Sequence, residues 1–99
     1  MAKIRLQSAA RADINAACVA VAQRRNEKSG AELLGKLMDS VQMLAQFPLL
    51  GAALPGELGL LGYRRLLIAD RFWCYYVIAD DAIVVHRVLH KGSGIPLLP

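Results

Sequence analysis

The chain has 99 residues, 56% of them hydrophobic, with twelve Lys and Arg against eight Asp and Glu for a formal charge of +4, and its mean hydropathy is +0.36. That length fits one domain with a single modest core and argues against a second domain. The lack of a twenty-residue apolar span argues against a membrane-crossing helix, and two cysteines without paired or Cys/His spacing argue against a disulfide framework or a zinc site.

The N-terminus, Met1-Ala2-Lys3-Ile4-Arg5-Leu6, has neither the long apolar region nor the small-residue cleavage site of a signal peptide, so the expected location is the cytoplasm. Lys3 to Gln7 alternates polar and apolar residues and reads as a short strand. Ser8 is placed to cap a helix whose apolar stripe is Ile14, Ala17, Cys18, Val21 and Ala22, with Arg11, Asn15, Gln23 and Arg24 on the opposite face. This helix should stop between Asn26 and Gly30. A second stripe of Leu34, Leu37, Met38, Val41, Leu44 and Ala45 predicts a helix from Ala31 to Phe47-Pro48, where the residue before proline is pushed out of helical geometry. The two form an antiparallel hairpin. Leu49 to Gly62, rich in Gly, Leu and Pro, has neither period and reads as a loop.

Three runs then follow one another: Tyr63–Ala69, Phe72–Ala79 and Ala82–His90, separated only by Asp70-Arg71 and Asp80-Asp81. Their β-branched and aromatic content, with turn-sized polar links, predicts a three-stranded antiparallel meander. If Asp80-Asp81 is a two-residue turn, Tyr76 opposes Val85, Cys74 opposes Arg87 and Phe72 opposes Leu89 on the more apolar side, with Ile78 beside Ile83. That side should meet the hairpin, and Arg87 should pair there with a helix acid such as Asp13 or Asp39. The other side would carry Trp73, Tyr75, Val77, Val84, His86, Val88 and His90. Whether Arg64 or Arg65 joins that side depends on the turn at Asp70; Arg64 is alternatively an anchor for a loop carboxylate such as Glu57. Gly92-Ser93-Gly94 predicts a hinge and 92–99 a flexible, apolar tail.

The overall expectation is an α+β domain of order β-α-α-β-β-β, with a helical hairpin on one face of a mainly antiparallel four-stranded sheet. Excess apolar content in so small a chain points to a partner covering part of its surface, or to a homodimer, and the positive charge favours an acidic partner. Trp73 and Tyr75 suit either base stacking or protein contact.

These residues carry a resemblance. Ala12-Asp13-Ile14 early in the first helix, Phe47-Pro48-Leu49-Leu50-Gly51 closing the second, Gly62-Tyr63-Arg64 opening the meander, Tyr76 in its middle strand and Arg87-Val88-Leu89-His90 ending the last together resemble the ParE/RelE superfamily of bacterial toxins over about residues 3 to 91. The resemblance implies the toxin of a type II toxin–antitoxin pair, also known as a plasmid stabilisation protein, held by a cognate acidic antitoxin and needing no cofactor or metal. It further implies one of two activities. ParE-like members inhibit DNA gyrase; RelE-like members cut mRNA on the ribosome, with a catalytic His or Tyr at the end of the last strand and basic residues holding the phosphate. In this chain His90 and Arg64 or Arg65 would be those groups. Lys91 stands where an aromatic residue often follows the His, so the ParE-like reading leads, with the RelE-like endonuclease or a non-toxic protein-binding relative as alternatives. The residues expected to meet antitoxin or target are Arg64, Trp73, Tyr75, His86, His90 and Lys91. At a strand end, His90 would equally serve to cap local backbone.

Overall fold

The computed structural model describes residues 2–99, in the order β1 (Lys3–Leu6), α1 (Ser8–Arg24), α2 (Glu27–Gln46), β2 (Ala52–Ala53), α3 (Gly56–Leu60), β3 (Arg64–Ile68), β4 (Phe72–Ala79) and β5 (Ala82–His90). The strands form one sheet in the order β1-β5-β4-β3-β2, with β1 parallel to β5 and all other pairs antiparallel. The sheet thus has five strands rather than four. The fifth is two alanines pairing with Arg65 and Arg64, too short to leave a period in the sequence.

Both helices start earlier than their apolar stripes suggest. The Gln7 amide donates to the Val85 carbonyl and continues the β1–β5 ladder, so the chain passes from strand to helix at Gln7, and Ser8 is already the first helical residue rather than the cap. In α2 the Asn26 side chain accepts from the Ser29 amide at 2.8 Å. That cap satisfies one of the free N–H groups of the first turn and begins the helix at Glu27, leaving two residues between the helices. The buried stripe of α2 runs through Gly30, Leu33, Leu37, Val41, Leu44 and Ala45. Leu34, expected in the core, is 44% exposed, and Met38 is only partly buried. The crossing with α1 sets this rotation: a Cβ on Gly30 would lie 2.8 Å from the Cys18 carbonyl oxygen, so only glycine allows the two backbones this close.

The hairpin buries its stripe against Tyr76, Cys74, Ile83, Val85, Val88 and Ile68, as apolar alternation on β4 requires. The Asp80-Asp81 turn sets Tyr76 opposite Val85 and Ile78 opposite Ile83, in the expected register. Beyond Val85 the register changes. A bulge leaves His86 as an extra residue, so that Tyr75 opposes Arg87, Cys74 opposes Val88 and Phe72 opposes His90, not the expected Cys74–Arg87 and Phe72–Leu89. One inserted residue reverses the faces of all that follows. Val88 enters the core in place of Arg87, avoiding the cost of a guanidinium beneath the helices.

Arg87 turns instead to the sheet edge, where β1 has ended, and meets α1. Its Nε and Nη2 donate to the two Asp13 carboxylate oxygens at 2.7 and 2.9 Å. The same carboxylate accepts from the Val88 amide at 3.0 Å, replacing the strand that β5 lacks at that point. Hydrogen bonding to Asp13 raises the Arg87 pKa above its ordinary value.

Candidate functional site

Because β4 alternates, Trp73, Tyr75 and Val77 leave the helix side and form a second cluster with Leu54, Leu58 and Tyr63. The tail returns across this face: Leu98 packs on the cluster and the Tyr63 hydroxyl donates to the Pro99 carbonyl. Tyr63 also meets His86 edge to face, with centroids 5.2 Å apart. Partial burial lowers the His86 pKa from its ordinary value, since the charged imidazole is the form that loses hydration. Arg65 is the arginine on this side, its guanidinium 4.0 Å from the centre of the Trp73 ring, a cation–π contact. The Tyr75 hydroxyl is fully buried and has no hydrogen-bond partner among the described residues.

This face therefore brings together three of the expected contact residues, Trp73, Tyr75 and His86, and adds Arg65. It also recruits Tyr63, Leu54 and Leu58. Tyr63 was legible in principle, since it lies two residues before Arg65 and must share its face once that face is known. Leu54 and Leu58 come from the aperiodic loop and left no such signal.

The other candidates lie elsewhere. Arg64 shares the helix side with Tyr76, where its Nε donates to the Gly51 carbonyl at 2.9 Å and its Nη2 to the Leu49 carbonyl at 3.4 Å. It anchors the loop through carbonyl oxygens, not through Glu57. Tyr76 completes the lock by donating to the Pro48 carbonyl at 2.7 Å and accepting from the Gly51 amide at 2.9 Å. His90 has moved to the helix side because of the bulge. It packs edge to face on Phe72 at 6.0 Å, and its Nδ1 accepts from the Gly92 amide at 3.1 Å. Lys91 reaches the Asp70 carbonyl at 3.4 Å.

The register gives the separation. Arg64 opposes Tyr76 and His90 opposes Phe72, four residues away on the intervening strand. That is roughly 13 Å along β4 and about 10 Å across two strand spacings. Arg65 is a residue nearer but projects from the opposite face. Neither arginine shares a phosphate-sized site with the imidazole.

A shallow apolar groove of about 240 Å³ runs along the outside of the hairpin, between Leu6, Ile14, Cys18, Leu34 and Met38. Leu34 is 44% exposed there, and Val19, 43% exposed, lines an adjoining hollow that shares Cys18 and Leu34. Cys18 and Cys74 are both free thiols, and burial pushes the Cys74 pKa up to about 12. Among the described residues no group of His, Cys, Asp or Glu is placed to hold a metal ion, and no helix is long and apolar enough to cross a membrane.

The sequence profile of the ParE toxin of the type II toxin–antitoxin system parDE matches residues 4–93. No curated protein matches the chain. Among solved structures, one from a chromosomal ParDE toxin–antitoxin system of P. aeruginosa superposes with a TM-score of 0.76 at 20% identity, covering 91% of this chain and 96% of the other. The RelBE2 toxin–antitoxin complex of Mycobacterium tuberculosis gives 0.67 at 22% identity, over 91% and 98%. A YafQ mutant from E. coli gives 0.56 at 19% identity, over 93% and 96%. At such identities the three likenesses establish a shared fold.

Proposed function

The chain belongs to the ParE toxin family of type II toxin–antitoxin systems, and from that premise we propose that it acts on DNA gyrase by binding rather than by cutting RNA. The observation that carries the choice is the separation of Arg64 and Arg65 from His90. Cleavage by a 2′-hydroxyl needs a proton-transferring group and cations converging on one phosphate. Here the imidazole accepts from the Gly92 amide, Arg64 is bound to loop carbonyls and Arg65 lies on Trp73, while Arg24 and Arg71, which line a cavity with His90, bring no second proton-transferring group to it. General acid–base catalysis by one group contributes about a hundredfold to ten-thousandfold, and without a positioned second group an efficient nuclease is not assembled. A fold shared with both ParDE and RelBE2 toxins does not choose between the activities, so the side chains must.

The partner that restrains such a toxin is an acidic antitoxin. The charge of +4 and the exposed Val19 and Leu34 beside the hairpin groove suit an amphipathic segment with an acidic polar face. The P. aeruginosa and M. tuberculosis neighbours come from toxin–antitoxin systems, which supports the same arrangement here. The half-buried Trp73 and His86 on the sheet face form the second contact surface in this reading, while Tyr75, expected to share it, is fully buried beneath and supports it from within.

The test reads two outputs in parallel: supercoiling by purified gyrase, and codon-positioned mRNA cleavage on translating ribosomes. Gyrase inhibition that persists in His90→Ala is the expected result. Ribosomal cleavage abolished by His90→Ala would overturn the proposal in favour of the endonuclease.

A further inference from the structure

At the end of the molecule where α1 hands over to α2 and β3 turns into β4, four cations line one cavity of about 260 Å³: Arg24, Arg25, Lys36 and Arg71. Arg24 ends the last turn of α1 and Arg25 follows it in the interhelical link, whereas Lys36 lies in the third turn of α2 and Arg71 in the β3–β4 turn. Sequence proximity explains the first two but not the convergence of Lys36 and Arg71 on them. The carboxylates nearby are Glu32 on the cavity wall and Asp70 in the adjoining turn. Neither forms an ion pair with them, because the only ion pair among the described residues is Arg87–Asp13. Arg24 donates through Nε to the Ala20 carbonyl at 3.3 Å, which holds its stem along α1.

A second cavity, of about 220 Å³, shares Arg24 and Arg71 as its wall and continues to Phe72 and His90. One end of the combined trough is cationic, and the other has an apolar floor of Ala17, Ala20 and Val21 beside an aromatic pair packed edge to face. Unpaired cations converging on one cavity repel each other and favour a bound anion. Guanidinium groups suit phosphate oxygens because they can donate two parallel bonds. An aromatic wall one step away suits the base attached to that phosphate. An acidic peptide would satisfy the charge but leave the aromatic end without a planar partner.

We infer that this trough is a binding site for single-stranded nucleic acid, with phosphates held by Arg24, Arg25, Lys36 and Arg71 and a base lying against Phe72 and His90. The site is distinct from the sheet face and rests on no assumption about gyrase.

The experiment is fluorescence anisotropy of the full chain with a short labelled oligothymidine, in the absence of gyrase. Four phosphate contacts predict a slope of log affinity against log salt of about −2.8, so affinity should fall roughly fiftyfold from about 50 mM to about 200 mM salt. Arg24→Ala with Arg71→Ala should weaken binding and reduce that fall to roughly sevenfold, while Lys3→Ala with Arg5→Ala, on the edge strand, should leave both unchanged. Circular dichroism melting checks that each variant is folded, and Arg25→Ala with Lys36→Ala repeats the test on the other two cations. A salt slope unchanged in both double variants, no binding by the parent, or equal displacement by polyglutamate at matched charge would each overturn the inference. Because gyrase is absent, loss of this site and loss of gyrase inhibition are read separately.

Discussion

Tyr75 and Tyr76 are neighbours on β4, both fully buried, yet removing their hydroxyls should change stability in opposite directions. The Tyr76 hydroxyl donates to Pro48 and accepts from Gly51, tying the end of α2 to the sheet. In Tyr76→Phe the Gly51 amide and Pro48 carbonyl lose this partner where water has little access, which costs about 1–3 kcal/mol. For a domain of this size each kcal/mol is about 4–8 °C in Tm. The Tyr75 hydroxyl has no partner among the described residues, so the folded state already carries its desolvation cost. Tyr75→Phe removes that burden and should be neutral or stabilising by up to about 1 kcal/mol. Urea unfolding followed by circular dichroism, with equal m-values, gives both differences directly. A Tyr75→Phe loss as large as that of Tyr76→Phe would refute the reasoning, because it would mean that the buried Tyr75 hydroxyl has a partner.

Asp13→Ala should destabilise by about 2–4 kcal/mol, since it leaves the Val88 amide unpaired as well as Arg87, a figure already reduced because the Arg87 side chain is 32% exposed. Arg87→Met should cost less, as Asp13 keeps the amide, and a double-mutant cycle by urea unfolding should give a coupling near 1 kcal/mol. Thermal melting should show stability falling as pH drops below the unfolded-state histidine pKa of about 6.5, because the unfolded chain takes up a proton on His86 that the fold, with its lowered pKa, resists; His86→Gln should flatten that dependence. A thiol reagent such as DTNB should modify Cys18 in the native protein and reach Cys74 only on unfolding, since Cys74 is buried with its pKa near 12. Leu37→Asp should abolish folding by placing an unpaired charge at a fully buried position, and a far-ultraviolet spectrum matching the parent would contradict that placement.

How far the sequence could be read depended on whether a local rule or a tertiary one decided each element. The hairpin and the meander were legible because their periods persist for many residues, and the Asp80-Asp81 turn fixed the first part of the register. The Arg87–Asp13 pair was anticipated for a different geometric reason than the true one: parity placed Arg87 under the helices, whereas it reaches Asp13 around the sheet edge. Leu33 in place of Leu34 turned on the close approach at Gly30, a contact between helices with no signature in either stripe. The short β2 and α3 were hidden in a run of Gly, Leu and Pro whose structure depends on Tyr76 and Arg64, far along the chain. Of the candidate site residues, Trp73, Tyr75 and His86 lie together as expected. His90 and Val88 changed face because the bulge comes after the turn from which parity was counted.

That bulge links fold to activity. Were His86 paired regularly opposite Tyr75, Arg87 would point into the core and His90 would lie on the outer face with Trp73, Tyr75 and Arg65. With the bulge, Val88 fills the core, Arg87 and Asp13 close the edge that β1 leaves open, and His90 packs against Phe72 at the rim of the cationic trough. The apolar demand for Val88 and the cost of burying Arg87 act in the same direction, so the bulge is held by the core rather than by the site. Deleting His86 tests this: the regular pairing that remains keeps Arg87 opposite Tyr75, Val88 opposite Cys74 and His90 opposite Phe72. The variant should therefore keep its fold by circular dichroism, losing the Tyr63–His86 contact, and should not acquire ribosome-dependent cleavage. A deletion variant that fails to fold would show instead that the bulge itself, and not the core pairing of Val85 and Val88 on either side of it, holds the strand.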